Sequence, residues 1–178
     1  MVVLCGSARA QIINFNFTIV GDPDANLGYT PIGGVVTGTI VGLEDNNSMT
    51  GPSDILITSA PASLGIVATP ASPYSLIDNG WLLQAAPLSY FSVSNGVLTT
   101  SESGFVSKNM NTNDLLFFNL SSTYNGLVVA NQIAVGNKNG ALGVSFVEVP
   151  SVPEPSVSIL FGCAFVFLAL HFRSRKVR

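Results

Sequence analysis

Residues 12–20 read Ile-Ile-Asn-Phe-Asn-Phe-Thr-Ile-Val, and from Ile13 to Ile19 apolar and polar side chains alternate at every position. Successive side chains of a β-strand point to opposite faces of the sheet, so this alternation places all four apolar side chains on one face. That apolar face comprises Ile13, Phe15, Phe17 and Ile19. The pattern predicts a strand with its apolar face in a core and its polar face towards solvent.

Strand-sized runs of apolar and β-branched residues recur up to residue 149, with turn-forming residues between them. They cover residues 35–43, 55–58, 91–94, 97–99, 115–120, 127–135 and 142–149. Asn95-Gly96 joins two of these runs and is typical of a type I′ hairpin turn. Neither a helical period nor a fixed repeat is visible between residues 11 and 150. The sequence therefore predicts an all-β domain over residues 11–149, folded as an antiparallel β-sandwich or an open barrel.

The predicted domain has few charged residues, and most of them are acidic. Charged residues make up 10 % of the 178-residue chain, against a usual share of about 25 %. Between residues 11 and 150, Lys108 and Lys138 stand against nine carboxylates. An acidic surface repels a phosphate backbone, so we expect no nucleic-acid partner. The expected core consists of Ile13, Phe15, Phe17, Val93, Phe118, Val144 and Phe146.

Cysteine and histidine are confined to the two ends of the chain. The cysteines are Cys5 and Cys163, and the single histidine is His171. The domain thus lacks the side chains for a disulfide scaffold, a zinc cluster, a cysteine nucleophile or a Ser-His-Asp arrangement. We expect no catalytic residues, no metal site and no cofactor, and hence a protein that is not an enzyme.

The N-terminal ten residues are similar to the end of a signal peptide. An apolar stretch from Met1 to Cys5 precedes Ala8-Arg9-Ala10, which fits the small-x-small pattern cut by a signal peptidase. We expect residues 1–10 to be the remnant of a longer signal peptide, with Ala8 and Ala10 as the cleavage signal. The alternative is a disordered N-terminal tail.

The C-terminal segment carries an uncharged apolar run followed by a basic tail. Residues 157–172 have no formal charge, and as a helix they would span about 24 Å of a roughly 30 Å hydrocarbon core. The basic tail, residues 173–178, contains Arg173, Arg175, Lys176 and Arg178. The positive-inside tendency predicts a transmembrane helix with this tail in the cytoplasm and the domain outside. A buried core helix is the alternative, and it fits poorly with the basic tail.

A proline-rich linker, residues 150–156, precedes the apolar run and contains Pro153-Glu154-Pro155. Its two prolines cannot continue a strand ladder, which favours an extended and accessible segment. Pro-Glu-Pro, a short hydrophobic helix and an arginine-rich end, in this order, resemble the PEP-CTERM sorting signal of Gram-negative bacteria. The resemblance covers residues 152–178. It implies Pro153, Glu154 and Pro155 as the sorting motif and an exosortase, an integral-membrane cysteine protease-like enzyme, as a partner.

The same resemblance implies a route through the cell. The protein would be exported and anchored in the inner membrane by its C-terminal helix. After cleavage near the motif it would pass to the cell surface or the extracellular matrix. The resemblance concerns sorting and is silent on what residues 11–149 do.

Two acidic segments of the domain carry oxygen atoms that could bind Ca²⁺. Asp22, Asp24 and Asn26 imitate the first ligands of a calcium loop, but Leu27 stands where such a loop needs glycine. An ordinary Asx turn is the favoured interpretation. Residues 44–47, Glu-Asp-Asn-Asn, could join other carboxylates around Ca²⁺, although a solvated hairpin loop is favoured over that interpretation.

Three aromatic residues raise the question of carbohydrate binding. Trp81, with Tyr74 and Tyr90 nearby in sequence, could form a platform on which sugar rings stack. The favoured alternative places Trp81 in the core.

Two functions from different classes remain open. The first is a structural or adhesive protein of the cell surface or extracellular matrix, in an exopolysaccharide or biofilm context. The second is a secreted carbohydrate-binding module, or a polysaccharide hydrolase, carrying the same sorting tail. The lack of histidine and cysteine in the domain favours the first.

Overall fold

A computed structural model describes residues 11–24, 29–84, 90–99, 104–119, 125–129, 133–137 and 144–150. Within these ranges the chain forms β-strands and a single short 3₁₀ helix, Ala62–Leu64. The predicted all-β class is therefore confirmed. The described strands are β1 (Ile12–Gly21), β2 (Thr30–Pro31), β3 (Gly34–Glu44), β4 (Asn47–Thr50), β5 (Asp54–Ser59), β6 (Tyr74–Ser75), β7 (Trp81–Leu82), β8 (Phe91–Ser94), β9 (Val97–Leu98), β10 (Gly104–Asn109), β11 (Leu115–Asn119), β12 (Asn125–Val129), β13 (Ile133–Asn137) and β14 (Val144–Val149).

The strands form three sheets. A five-stranded sheet has the order β14-β1-β3-β5-β6, and every neighbouring pair in it is antiparallel. A six-stranded sheet has the order β2-β13-β12-β11-β10-β7 and is antiparallel except at its β2–β13 end. A small sheet contains β4, β8 and β9. The first and last long strands, β1 and β14, thus lie side by side, so the five-stranded sheet is complete only when the whole domain has been made.

Strand β1 pairs with a strand on each side, β14 and β3, and its four alternating apolar side chains point into the core. Its four inward side chains are at most 3 % exposed. Phe17 lies opposite Phe146 on one side and Gly38 on the other. A Cβ atom at Gly38 would lie 2.6 Å from the ring of Phe17. A residue without a side chain therefore makes room for this phenylalanine inside strand β3.

An aromatic cluster connects all three sheets. The ring of Phe118 from β11 meets Phe17 edge-on, with ring centroids 5.1 Å apart, and meets Phe146 from β14 at 5.6 Å. Phe91 from β8 stacks on Phe105 from β10 at 4.8 Å. Side chains from the five- and six-stranded sheets thus share one core, to which the small sheet also contributes.

The core predicted from the sequence is confirmed with one refinement. Phe118 is 1 % exposed, Val93 1 % and Val144 6 %, while Phe146 packs on the cluster but is only half-buried. Phe146 belongs to β14, an end strand of its sheet, and that position explains its partial exposure.

One predicted strand was wrong and one of the longer strands was missed, while the short strands β2, β4, β6 and β7 were not predicted either. The run 127–135 is not one strand: β12 and β13 pair with each other antiparallel, in register from Val129 opposite Ile133 to Asn125 opposite Asn137. Strand β10 was not predicted, because its inward positions after Phe105 are polar. Ser107 and Asn109 are 0 % and 4 % exposed, and such residues break the apolar alternation that marks a strand.

The buried polar groups of β10 are satisfied by the chain itself. Ser107 donates its hydroxyl hydrogen to the carbonyl of Leu82 at 3.0 Å, and the Asn109 amide donates to the carbonyl of Asn79 at 3.1 Å. The Asn109 side-chain oxygen accepts the backbone N–H of Asn111 at 2.9 Å. A buried polar side chain is tolerated when it is bonded in this way.

Candidate functional site

The predicted processing signals lie outside the described residues. These are the cleavage residues Ala8 and Ala10, the motif Pro153, Glu154 and Pro155, and the basic residues Arg173, Arg175, Lys176 and Arg178. Cys5, Cys163 and His171 also lie there. In the described part of the chain, no helix is long and apolar enough to cross a membrane. The site is therefore built from residues of the β domain.

The first acidic segment forms a turn. The backbone N–H of Asp24 donates to the Asp22 carboxylate at 3.0 Å, the bond that defines an Asx turn. The backbone N–H of Asp22 in turn donates to the carbonyl of Gly136 in β13, at 2.8 Å. The favoured turn interpretation agrees with this geometry; Asn26 and Leu27 lie outside the described residues.

The second acidic segment is the turn between β3 and β4, and it contacts the turn between β8 and β9. The Asp45 carboxylate accepts the backbone N–H of Gly96 at 3.0 Å. The side-chain oxygen of Asn46 accepts the backbone N–H of Asn95 at 3.1 Å. We call these four residues the paired-turn contact. It joins the end of the five-stranded sheet to the small sheet across about fifty residues of chain.

Backbone conformation explains why asparagine and glycine occupy these turns. Asn46 has a φ of 55° and Asn95 a φ of 51°, and Gly96 follows at 75°. Left-handed conformations of this kind are open mainly to glycine and asparagine, and they suit the tight turns of hairpins. The hairpin predicted at Asn95-Gly96 is thus confirmed.

Within the acidic turn the carboxylates bond to the chain itself. The second Asp45 carboxylate oxygen accepts from the Asn46 amide at 3.0 Å, and Glu44 accepts from the Asn47 amide at 2.8 Å. Among the described residues no three side chains of histidine, cysteine, aspartate or glutamate group as metal ligands would. The oxygens of this turn act as acceptors that hold the loop. The strands on either side, β3 and β4, lie in different sheets and do not pair, so the favoured hairpin interpretation was wrong about the strands that this loop joins.

Trp81 belongs to the core. It is 6 % exposed, and its indole N–H lies 3.4 Å from the hydroxyl of Tyr74. A ring buried to this degree offers no open face for stacking on a sugar, which agrees with the favoured interpretation. Beside it runs an open groove of about 600 Å³, lined by Trp81 and by Gly51, Pro52, Ser53, Ile77, Leu82, Leu83 and Gln84.

The groove combines apolar walls with one prominent amide. Ile77 and Leu82 are 48 % and 49 % exposed. A Cβ atom at Gly51 would lie 2.1 Å from the amide nitrogen of Gln84, so this amide rests directly on the glycine backbone. Apolar walls with few polar groups are common in sites for small ligands.

The outward side of the five-stranded sheet carries a row of uncharged polar side chains, which we call the polar face. Its members, placed by strand alternation and register, are Asn16, Thr18, Thr37, Thr39, Thr58 and Ser145. Thr39 donates its hydroxyl hydrogen to the Asn16 side-chain oxygen at 2.8 Å, and the hydroxyl oxygens of Thr37 and Thr58 lie 2.9 Å apart.

Charged residues of the described five-stranded sheet stand only near the ends of its strands. Glu44 ends β3, Asp54 begins β5 and Glu148 lies one residue before the end of β14. The centre of the polar face therefore presents hydroxyl and amide groups without a neighbouring charge, with Val147 beside Asn16 and Leu56 beside Thr39 on the same face. Hydroxyl and amide groups can both donate and accept hydrogen bonds, which suits a neutral, hydroxyl-rich ligand.

Comparison with protein-family models, curated proteins and solved structures finds no match to this chain. Its candidate sites therefore rest on its own residues.

The sequence indicated one strand of the polar face and missed the rest. The alternation in β1 places Asn16 and Thr18 outward, but the register of β3 and β5 against β1 is a property of the folded sheet. The missed signal is the threonine at every second position in Thr37-Gly38-Thr39. The paired-turn contact was also missed, because Asp45 and Gly96 are far apart in sequence.

Proposed function

We propose that this chain is an exported surface or matrix protein whose domain, residues 11–149, has a structural or adhesive role among exopolysaccharides. The domain would be a β-sandwich, followed by the linker 150–156, a transmembrane helix at 157–172 and a basic tail at 173–178. The resemblance of residues 152–178 to a PEP-CTERM signal supports the sorting part of this proposal. An exosortase-type enzyme would process the protein, which would then leave the inner membrane for the surface.

The polar face is the observation that carries the adhesive part. Neighbouring strands lie about 4.8 Å apart and alternate residues on a strand about 6.8 Å apart, so this face repeats hydrogen-bonding groups on the scale of sugar hydroxyls. Thr39 and Asn16 bond to each other at an exposed position of this face, and Thr37 and Thr58 form a second, part-buried pair. Binding a neutral polymer here would not require removing water from an ion, which is the costly step at a charged surface.

A second candidate is a carbohydrate-binding module, or a polysaccharide hydrolase, that uses the groove beside Trp81. Its support is the combination of exposed apolar walls at Ile77 and Leu82 with the Gln84 amide. A groove of this kind would bind one short stretch of a polymer, whereas the polar face would adhere to a broad surface.

Retention on the host's own purified polysaccharide separates the two candidates. Asn16→Ala, on the polar face, should weaken retention if the face is the adhesive surface, while Gln84→Ala should leave it unchanged. The reverse result would favour the groove. If both variants and the wild type fail to bind, the adhesive role is wrong.

Intact mass measurement of the protein from a host carrying an exosortase tests the sorting part. Replacing Pro153 and Pro155 together by alanine should leave the protein in the membrane and uncut, because the extended site offered to the enzyme is lost. Replacing Pro70 and Pro73 by alanine is the matched control and should leave processing unchanged. Normal maturation of the first variant would show that the motif is not the sorting signal.

A further inference from the structure

The two larger sheets have four end strands, and these strands differ greatly in length. Strands β2, β6 and β7 have two residues each, whereas β14 has six. An end strand presents unpaired backbone N–H and C=O groups that can pair with another strand, and natural proteins limit this hazard with very short end strands. Three of the four ends are protected in this way. The fourth, β14, is not.

Strand β14 has a single charged residue, Glu148, and lacks the proline or lysine that protects other end strands. Proline or lysine at an edge prevents pairing, and β2 has Pro31, but the β14 sequence Val-Ser-Phe-Val-Glu-Val contains neither. Val147, near its middle, is 63 % exposed. Among the described residues β14 pairs with β1 alone, in an unbroken register from Val144 to Val149. It is therefore a long, regular and mostly apolar edge.

We infer that β14 is an interaction surface at which a second copy of this chain adds its own β14, antiparallel. The two five-stranded sheets would then join edge to edge into one continuous sheet with twofold symmetry. Backbone hydrogen bonds would supply the attraction, as in other cases of strand addition. The polar faces of the two copies would lie on the same side of the joined sheet.

Side-chain alternation limits the possible registers. Residues opposite each other in an antiparallel pair point to the same face, so a symmetric pair of β14 strands must be centred on a residue paired with itself. A centre at Glu148 would set two carboxylates against each other, which is destabilising. A centre at Val147 or Phe146 instead sets each Glu148 against an apolar residue, Phe146 or Val144 respectively. These two registers keep the two carboxylates apart.

The choice of a second copy as the partner follows from these two registers, in which β14 pairs with itself and the two Glu148 carboxylates stay apart. An acidic peptide could instead place a carboxylate directly against Glu148, which is destabilising. The inference does not depend on the sorting tail or on polysaccharide binding, since it uses only residues 144–149 and their exposure.

Sedimentation of the full chain in mild detergent tests the inference. The wild type should show a concentration-dependent monomer–dimer equilibrium. Val147→Lys should weaken dimerisation about tenfold, because it replaces a valine contact by a charge at the edge. Val97→Lys is the matched control, since Val97 is also 63 % exposed but lies in the two-residue strand β9. It should leave dimerisation unchanged.

Disulfide trapping identifies the contact directly, in a background with Cys5→Ser and Cys163→Ser. If the centre is Val147, Val147→Cys should form a covalent dimer on mild oxidation. If the centre is Phe146, a mixture of Ser145→Cys and Val147→Cys should form a mixed dimer. Val97→Cys should form neither.

Three results would overturn the inference. They are a wild type that stays monomeric at every concentration, equal weakening by the two lysine substitutions, and the lack of any crosslink through residues 145 and 147. A monomeric protein that is still processed and still binds polysaccharide would refute the pairing of β14 alone and leave the proposed function standing.

Discussion

The two faces of the five-stranded sheet are made by alternate residues of the same strands, yet they have different roles. The inward face is apolar and closely packed, with Phe15, Phe17 and Ile19 at most 2 % exposed. The outward face carries threonine and asparagine at the positions between them. Stability therefore depends on the inward face, and the groups free to meet a ligand are on the outward face. Substitutions on the two sides should separate stability from adhesion.

The largest loss of stability should follow Phe118→Ala. The ring of Phe118 lies within 6.4 Å, centroid to centroid, of four other phenylalanine rings, and its removal would leave a cavity among all three sheets. The free energy of unfolding should fall by about 3–5 kcal/mol. Denaturant-induced unfolding, followed by tryptophan fluorescence, measures the change.

The matched control for this substitution is Phe117→Ala. Phe117 is the preceding residue of the same strand, points to the opposite face and is only half-buried. Phe117→Ala should lower the free energy of unfolding clearly less than Phe118→Ala does. Equal losses would mean that the aromatic cluster is not the centre of the core.

A smaller loss should follow Gly38→Ala, which tests how closely β3 approaches its neighbours. The added Cβ would lie 2.3 Å from the carbonyl oxygen of Leu56 and 2.6 Å from the Phe17 ring. Backbone and ring would both have to shift, and overpacking of this kind costs about 1–3 kcal/mol. Gly33→Ala is the control, because its nearest neighbour is a proline side-chain atom at 3.9 Å. If Gly38→Ala left the free energy of unfolding almost unchanged, the sheet would pack less closely around β3 than these distances indicate.

The sequence was sufficient for the parts of the fold that depend on local alternation. Strand β1, the hairpin at Asn95-Gly96 and six of the seven expected core residues followed from apolar periodicity and turn chemistry alone. Apolar alternation failed to predict β10, because two of its buried side chains, Ser107 and Asn109, are polar and are satisfied by hydrogen bonds. It also failed in run 127–135, predicted as one strand although the polar pair Asn131-Gln132 divides it and β12 and β13 are separate strands.

The candidate sites were harder to predict because they depend on register. No local pattern states that Thr39 lies opposite Asn16, or that the turn at Asp45 meets the turn at Gly96. The length of β14 was visible in the sequence. Its position at the end of a sheet was not, because that follows from the order of all five strands.

A moderate loss should follow Asp45→Ala, which removes the acceptor of the Gly96 N–H. A hydrogen bond to a charged group contributes about 1.5–3 kcal/mol at most, and less when it is partly exposed as here. We expect a fall of about 1 kcal/mol in the free energy of unfolding, measured by the same denaturant method. Asp24→Ala is the control, because Asp24 is an exposed aspartate of another turn. If both variants were equally stable, the paired-turn contact would have no role in holding the small sheet to the larger one.

The smallest effect on stability should come from the outward face, and that effect should be separable from adhesion. Thr39→Val keeps the β-branched shape that a strand favours but removes the hydroxyl that bonds Asn16 at 2.8 Å. Because water can replace this bond at an exposed site, stability should change by no more than about 0.5 kcal/mol. Retention on polysaccharide should nevertheless fall, since the Thr39 hydroxyl oxygen, which can accept a hydrogen bond from a sugar, is lost from the centre of the polar face. Thr30→Val, which removes an exposed hydroxyl from β2 in the other sheet, should alter neither property. If Thr39→Val retained full adhesion at unchanged stability, the polar face would be a solvated surface only, and the groove beside Trp81 would be the remaining candidate for sugar binding.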